Sequence, residues 1–290
     1  MAFRSNSNYV KQVVELESRV PKGALLPQRI TDAKVRFYRA VYRAQRGHDL
    51  SADAAVLDFG CSFGSVVNAF CSAGYDAKGI DILEYWGKDR HLCGRTPVTY
   101  SPEVTSRLFL VDPENLRFPF EDRSIDIIVS DQVLEHVFDF EPIFREHARV
   151  LKPNGLAVHR FPRRYALWEV HTGLPFAPMS RYRWYLTLWA LAGLRSERQK
   201  GFSWQNAVQT NETIFGTTNY VSKRYLLDLA QKTGLGGRFI NHLPISESRM
   251  GRLYRSANRL GLSRIAGPLL MAVNMNHTLI LESAEYAANR

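Results

Sequence analysis

The sequence predicts a doubly wound α/β fold, and three observations lead there. An apolar run from Ala54 to Leu57 ends in Asp58, then Gly60 and Gly64, then a segment to about residue 73 whose apolar members recur at helical spacing. From Val56 onward strand-like and helix-like stretches alternate, which implies parallel strands, right-handed crossovers and ligands at the strands' carboxyl ends. The 290 residues, 45% hydrophobic and 12% aromatic, are those of a chain with a real core. That length suits one large domain with insertions. There is no internal repeat or low-complexity tract.

Residues 1–50 read as helical cover. The run from Asp32 places Val35, Tyr38, Val41 and Tyr42 on one face and basic residues on the other, and Gly47 closes it. Strands are expected at 54–58, 76–81, near 107–111, at 125–130 and from Leu156 to Pro162. A helix opens at Glu141-Pro142 and ends at Leu151, before the turn Lys152-Pro-Asn-Gly155. In the first turn, Gly60 and Gly64 let the backbone approach a ligand while the new helix presents unpaired N–H groups. A nucleotide-like cofactor is the expected occupant. Ser62 and Ser65 stand where a dinucleotide fingerprint needs glycine, so NAD and FAD are disfavoured. Asp81, about 20 residues beyond the first glycine, is placed to accept both hydroxyls of a ribose.

Four segments then occur in order. They are the glycine loop with Asp81, Phe118-Pro-Phe-Glu-Asp-Arg-Ser-Ile-Asp-Ile-Ile-Val-Ser130, Asp131-Gln-Val-Leu-Glu-His-Val137, and Arg149-Val-Leu-Lys-Pro-Asn-Gly155. Over residues 50–162 this pattern resembles class I S-adenosylmethionine-dependent methyltransferases, in particular their small-molecule, type 11/12-like branch. The resemblance implies a Rossmann-like seven-stranded sheet, mostly parallel with an antiparallel edge strand, plus a helical lid or insertion. It implies S-adenosylmethionine as cofactor and S-adenosylhomocysteine as product. Carried over residue by residue, it gives Asp58, Gly60, Cys61 and Gly64 to the cofactor loop and Asp81 and Ile82 to the ribose. Asp112, followed by Pro113, matches the acid on the adenine amine, with Glu114 a fair substitute. Leu83 and Leu116 would sandwich the ring, and Asp131 and Gln132 would lie nearest the sulfonium. His136 stands where the family commonly has a histidine, sometimes the base and otherwise a fixer of the turn.

Beyond this core the chain describes its own substrate. His159 and Arg160 fall at the carboxyl end of a strand that should be almost wholly apolar, which predicts that they point at the ligand. Residues 163–215 form an insertion rich in Arg, Tyr, Trp and His, containing Glu169 and His171. For His159, Glu169 and His171 acid–base or substrate hydrogen-bonding roles rank first, structural pairing second and metal third, so no metal is expected. Trp184–Leu194, bracketed by Arg181, Arg183, Arg195 and Arg198, reads as a lid helix or as an interfacial helix. The lid is preferred, with peripheral membrane contact through 181–198 as the other reading. Residues 216–290 continue the same domain, with a helix over 221–234, a strand from Arg238 to His242, and Arg249, Arg252, Arg255 and Arg259 as one cationic stripe. Asn276 to Ser283 is the last strand. In the long loop 84–106, Trp86, His91 and Tyr100 either line a pocket or simply pack.

The net charge of +10 divides into +6 for residues 1–50, −8 for 51–150 and +12 for 151–290. Basic flanks favour an anionic acceptor or surface, or are solvated faces. Cys61, Cys71 and Cys93 show no paired metal spacing and read as reduced thiols in cytoplasm. Met1–Tyr9 lacks an apolar core and no stretch is long enough to span a bilayer, so a cytoplasmic protein is expected, peripheral at most to the membrane's inner face. The expected function is methyl transfer to a hydroxyl of a small polar or anionic acceptor such as a sugar, nucleotide-sugar or lipid-linked glycan. Another metabolite or natural product is the alternative. Nucleic acid is disfavoured, because the Asn/Asp-Pro-Pro-aromatic tetrapeptide is missing. A non-catalytic cofactor-binding protein stays open, as does a homodimer.

Overall fold

The computed structural model describes residues 8–13, 28–86, 101–169, 171–196, 199–262, 264, 265, 267, 269, 270, 274 and 276–288. Cys93, His91, Tyr100 and Arg198 lie outside them.

Seven strands form one sheet: β1 (Ala55–Phe59), β2 (Asp76–Asp81), β3 (Leu108–Leu110), β4 (Ile125–Asp131), β5 (Leu151–Pro162), β8 (Leu235–Phe239) and β9 (Asn276–Ser283). Their spatial order is β3-β2-β1-β4-β5-β9-β8. β1 to β5 pair in parallel, whereas β9 is antiparallel to both neighbours. The antiparallel strand expected at 276–283 is present and lies one place in from the edge, which β8 occupies. β5 begins earlier than its apolar run, because Leu151 pairs with Ile125 and the intervening Lys152–Gly155 shifts the register before Leu156 meets Ile127. β8 likewise starts at Leu235, directly after Gly234 in left-handed backbone (φ +80). A Cβ at Gly237 would stand 3.1 Å from Leu227 and 3.2 Å from Ala230, so the bare backbone there lets the overlying helix pack closely.

The helices that frame the sheet and the site are α1 (residues 8–13), α2 (Gln28–Arg46), α3 (Ser65–Ser72), α4 (Pro102–Thr105), α5 (Glu141–Val150), α6 (Arg183–Leu191), α7 (Trp204–Gly216), α8 (Lys223–Lys232) and α9 (Arg249–Arg259), and a short helix, Ala284–Ala288, follows β9. Two apolar layers follow from the strands' period of two. Val56, Val129, Leu156 and Val158 face α2 and α3, and Leu57, Ile128, Ala157 and Phe161 face α5 and α8. α2 buries Val35, Tyr38, Val41 and Tyr42, the face its periodicity predicts. Its last residue, Arg46, is buried with Glu282 of β9 at 2.8 Å and also donates to the carbonyls of Asn154 and Gly155. One guanidinium thus ties α2 to β5 and β9.

The insertion forms a small hairpin, β6 (Trp168–Glu169) with β7 (Leu174–Pro175), followed by α6 and α7, which pack on each other through Tyr185, Leu186, Ala190, Ala207 and Val208. In α9, Arg252 and Arg255 donate to the carbonyls of Glu247 and Ser246, so half of the cationic stripe holds its own preceding loop. No helix among the described residues is long and apolar enough to cross a membrane.

Candidate active site

The glycine turn after β1 is held from below. Gly60 and Cys61 donate to the carbonyl of Ile80, Gly60 and Gly64 adopt φ +78 and +75, and Ser62 also lies in left-handed backbone. The Asp81 carboxylate accepts from the amide of Ser62 at 2.8 Å and from that of Leu83 at 3.1 Å. This acid therefore shapes the loop. Cys61 is buried beneath the turn, in contact range of the Cβ position of Gly79. Ile82 packs on the core beside it. At the end of β3, Asp112 is exposed and accepts from the Glu114 amide at 2.8 Å, with Pro113 half-buried between them.

Three carboxylates converge at the carboxyl ends of β1, β2 and β4. Asp58 is 6% exposed, and burial, with Asp81 and Asp131 adding to it against Lys34, raises its pKa to about 7. Asp131 pairs with Lys34 of α2 at 2.7 Å, while its Oδ1 is buried without a hydrogen-bond partner, 3.9 Å from Arg160 Nε. Gln132 sits in left-handed backbone (φ +62) and donates to Asn276. Arg160 lies where the sequence expected it, at the ligand end of β5, whereas Lys34 was not among the site residues read from the sequence. Lys34 and Arg160 offset two of the three carboxylates, and the Asp131 Oδ1 left without a hydrogen bond is the atom that a cationic ligand would serve.

His159 does not reach this cleft, contrary to the sequence expectation. It is fully buried on the opposite face of β5, bonded through Nδ1 to Ser130 Oγ at 2.7 Å and packed 5.0 Å from the His147 ring. Burial, then His147, holds its pKa well below the usual histidine range. Arg160, one residue on, has the parity that faces α2, where it lies over Phe37.

His136, Glu169 and His171 do assemble, around a residue the sequence reading passed over. His136 Nδ1 donates to the Thr217 carbonyl at 2.7 Å, and Asn219 donates through its amide to Glu135 O and through Nδ2 to Val137 O. The segment after α7 is thereby stitched to the 3-10 turn Leu134–His136. His171 Nδ1 lies 3.0 Å from Glu169 Oε1, its Nε2 lies 3.6 Å from Glu135 Oε1, and the two imidazole rings are 5.1 Å apart. Tyr220 OH and the amides of His171 and Thr172 also donate to Glu169. Burial alone would raise the Glu169 pKa, but these donors bring it to about 2; burial would lower that of His171, but Glu135 and Glu169 raise it to about 9.

This ion pair gives a pH signature. The folded pKa of His171 lies above its unfolded value of about 6.5, so its stabilisation is complete below that pH and is lost as pH rises through about 9. The melting midpoint of the wild type is expected to fall between pH 6.5 and 9.5 by about 2–10 °C more than that of His171→Gln, on the order of 1–3 kcal/mol. Parallel pH curves for the two proteins would overturn this pairing.

Beside the cluster lies a cavity of about 290 Å³. Leu134, Phe140, Phe161 and Leu226 form its apolar part, Glu135 and Tyr220 reach its wall, and Arg163, Arg164 and Lys223 supply cations. His277 on the same wall is held at about 3, by burial first and then by Lys223 and Arg163, as expected in a positive field. The expected lid helix α6 does not line this cavity; its Trp184, Leu188 and Leu191 face outward instead. α1 is the segment at the cleft, with Tyr9 against His136 and Phe138 and Val13 packed with Leu83 and Tyr85. The polar first residues carried no periodicity that would have revealed it. Leu83 and Leu116 are both buried and belong to separate apolar clusters.

Residues 57–159 match the family described as "Methyltransferase domain". A probable S-adenosylmethionine-dependent methyltransferase of Mycobacterium tuberculosis is 29% identical over 106 residues, covering 36% of this chain and 38% of that protein. A ubiquinone biosynthesis O-methyltransferase of Methylococcus capsulatus is 29% identical over 111 residues, 38% of this chain and 44% of that protein. The chain thus spans less than half the length of these relatives. Among solved structures, a geranyl diphosphate C-methyltransferase from Streptomyces coelicolor is 16% identical with a TM-score of 0.43, over 85% of this chain and 76% of that one.

Proposed function

Since residues 57–159 are a class I S-adenosylmethionine-dependent methyltransferase domain of the type 11 branch, we propose that the protein methylates a hydroxyl of a small anionic acceptor that also carries an apolar portion. The observation that carries this reading is the division of charge along one sheet edge. The glycine turn sits among Asp58, Asp81 and Asp131, which suit a cationic cofactor, while the neighbouring cavity is apolar within and cationic through Arg163, Arg164 and Lys223.

The donor set fits S-adenosylmethionine. Asp58, Gly60, Cys61 and Gly64 would hold its amino-acid end, Asp81 and Ile82 its ribose, Asp112 and Pro113 its adenine, and Asp131 and Gln132 the region of the sulfonium. When bound, that group supplies an already activated methyl. The chain's own residues then have three tasks, which are to align the acceptor, exclude water and take a proton from its hydroxyl. Tyr9 and α1 close over the cleft from one side. Among the assembled groups His136 is the proposed proton acceptor, its ring anchored through Nδ1 on the Thr217 carbonyl beside His171 and Tyr9. His171 is held as imidazolium between two carboxylates and serves to position. A lipid-carried or nucleotide-linked sugar, with both an acid and a hydroxyl, remains the acceptor class to screen first.

Calorimetric titration with S-adenosylmethionine tests the cofactor half. Asp81→Ala is expected to weaken binding by about 1.5–3 kcal/mol, since it removes a charged acceptor from the ribose and from the Ser62 amide together. Unchanged affinity would sink the assignment. Transfer of labelled methyl to phosphorylated and dephosphorylated forms of the same hydroxyl acceptor tests the other half, with the phosphorylated form preferred.

A further inference from the structure

Beyond methyl transfer itself, we infer that Glu135, His136 and His171 form a binding site for a divalent transition-metal ion of the zinc class. Such an ion would displace the proton that His171 carries in the metal-free protein and compete with the proton-accepting role of His136. Glu135 is 1% exposed, and neither of its carboxylate oxygens has a hydrogen-bond partner. Its nearest partners are the two imidazoles, at distances too long for a good hydrogen bond, and a cation seated among the three would complete this buried carboxylate. One ligand atom from each of the three residues lies within 4.8 Å of the others. Glu135 Oε1 is 3.6 Å from His171 Nε2 and 4.0 Å from His136 Nε2. Ligands on a tetrahedral zinc ion with bonds of about 2.0–2.1 Å are about 3.3 Å apart, so the two imidazoles need to draw in only modestly on Glu135.

The surroundings orient both rings for this task. His136 donates from Nδ1 to a backbone carbonyl and His171 from Nδ1 to the Glu169 carboxylate, which directs each Nε2 toward Glu135. Hydrogen bonds of this kind fix the tautomer of metal-bound histidines and raise their basicity. Two imidazoles and one carboxylate favour zinc, cobalt or iron over magnesium or calcium, which take oxygen donors. Three protein ligands also leave a position open. Because Glu135 and Tyr220 reach the cavity wall, that position belongs to water or to an oxygen of the cavity's occupant.

The test needs neither cofactor nor acceptor. The full chain is stripped with chelator, dialysed, and titrated with Zn²⁺ by calorimetry and with Co²⁺ by visible absorption. One ion per chain is expected, at micromolar affinity or tighter, with Co²⁺ bands of four- or five-coordinate intensity. Glu135→Gln and His171→Gln should each weaken Zn²⁺ by about 100-fold or more, and Glu169→Gln, which acts through His171, by about 10–100-fold. Circular dichroism and the melting profile show whether each variant is folded. Should a variant not fold, zinc protection of His136 and His171 from diethylpyrocarbonate in the wild type replaces it, and the proposal requires protection of both. Absence of a saturable zinc isotherm, or unchanged affinity in Glu135→Gln and His171→Gln, would overturn the site and leave a proton-bridged ion pair.

Discussion

Gly60→Ala is expected to weaken S-adenosylmethionine binding by at least about 100-fold, the scale at which a displacement near 1 Å disables a pre-formed site. Two costs coincide at this residue. A non-glycine residue at φ +78 costs about 1–2 kcal/mol. A Cβ built there would also lie 2.4 Å from Val133 Cγ2, a β-branched side chain that has few rotamers to retreat into. Either Val133 moves, disturbing the turn that carries Asp131 and His136, or the glycine loop lifts from the Ile80 carbonyl. Gly47 provides the control, since it has the same φ of +78 but a Cβ there meets nothing within 4 Å. Gly47→Ala should therefore lower stability slightly and leave binding within twofold. Calorimetry on both variants decides it, and equal affinities would mean that the loop tolerates displacement.

His136→Ala is the second large effect, a loss of about 10²–10⁴ in turnover with S-adenosylmethionine affinity changed by less than about threefold. The geometry separates the two readouts. His136 is anchored to Thr217 and faces His171 and Tyr9, whereas the acidic triad faces α2 and Lys34. His136→Gln, which keeps a side-chain donor but has no titratable group, should lose nearly as much. Should turnover survive in His136→Gln, the histidine only fixes the turn.

The sheet was legible in the sequence to within a few residues, and the strands at 76–81 and 276–283 to the residue, because apolar runs with sharp polar or glycine boundaries have few alternatives. His159 shows where that reading fails. Two adjacent polar residues in a strand face opposite layers, and only the partner contacts reveal which one meets the cleft. Leu156, Val158 and Arg160 share the parity that faces α2, so alternation alone already separated Arg160 from His159 once one layer was known. The cluster of Glu135, His136 and His171 left no comparable trace. Its members lie 35 residues apart, on a short turn and in an insertion, and the loop after α7 joins them through backbone groups common to any sequence. Lys34 was hidden for the same reason, being one basic residue among many on an amphipathic helix.

The position of β9 has a consequence for the birth of the molecule. Leu279, Ile280 and Leu281 are wholly buried between β5 and β8, yet the ribosome makes them after every other strand of the sheet. Until residue 283 has emerged, the twelve-residue β5 presents an unpaired apolar rim, and Arg46 lacks the Glu282 that fills its buried niche. Such a rim recruits other strands, so chains truncated before residue 276 are expected to aggregate instead of folding into a smaller domain.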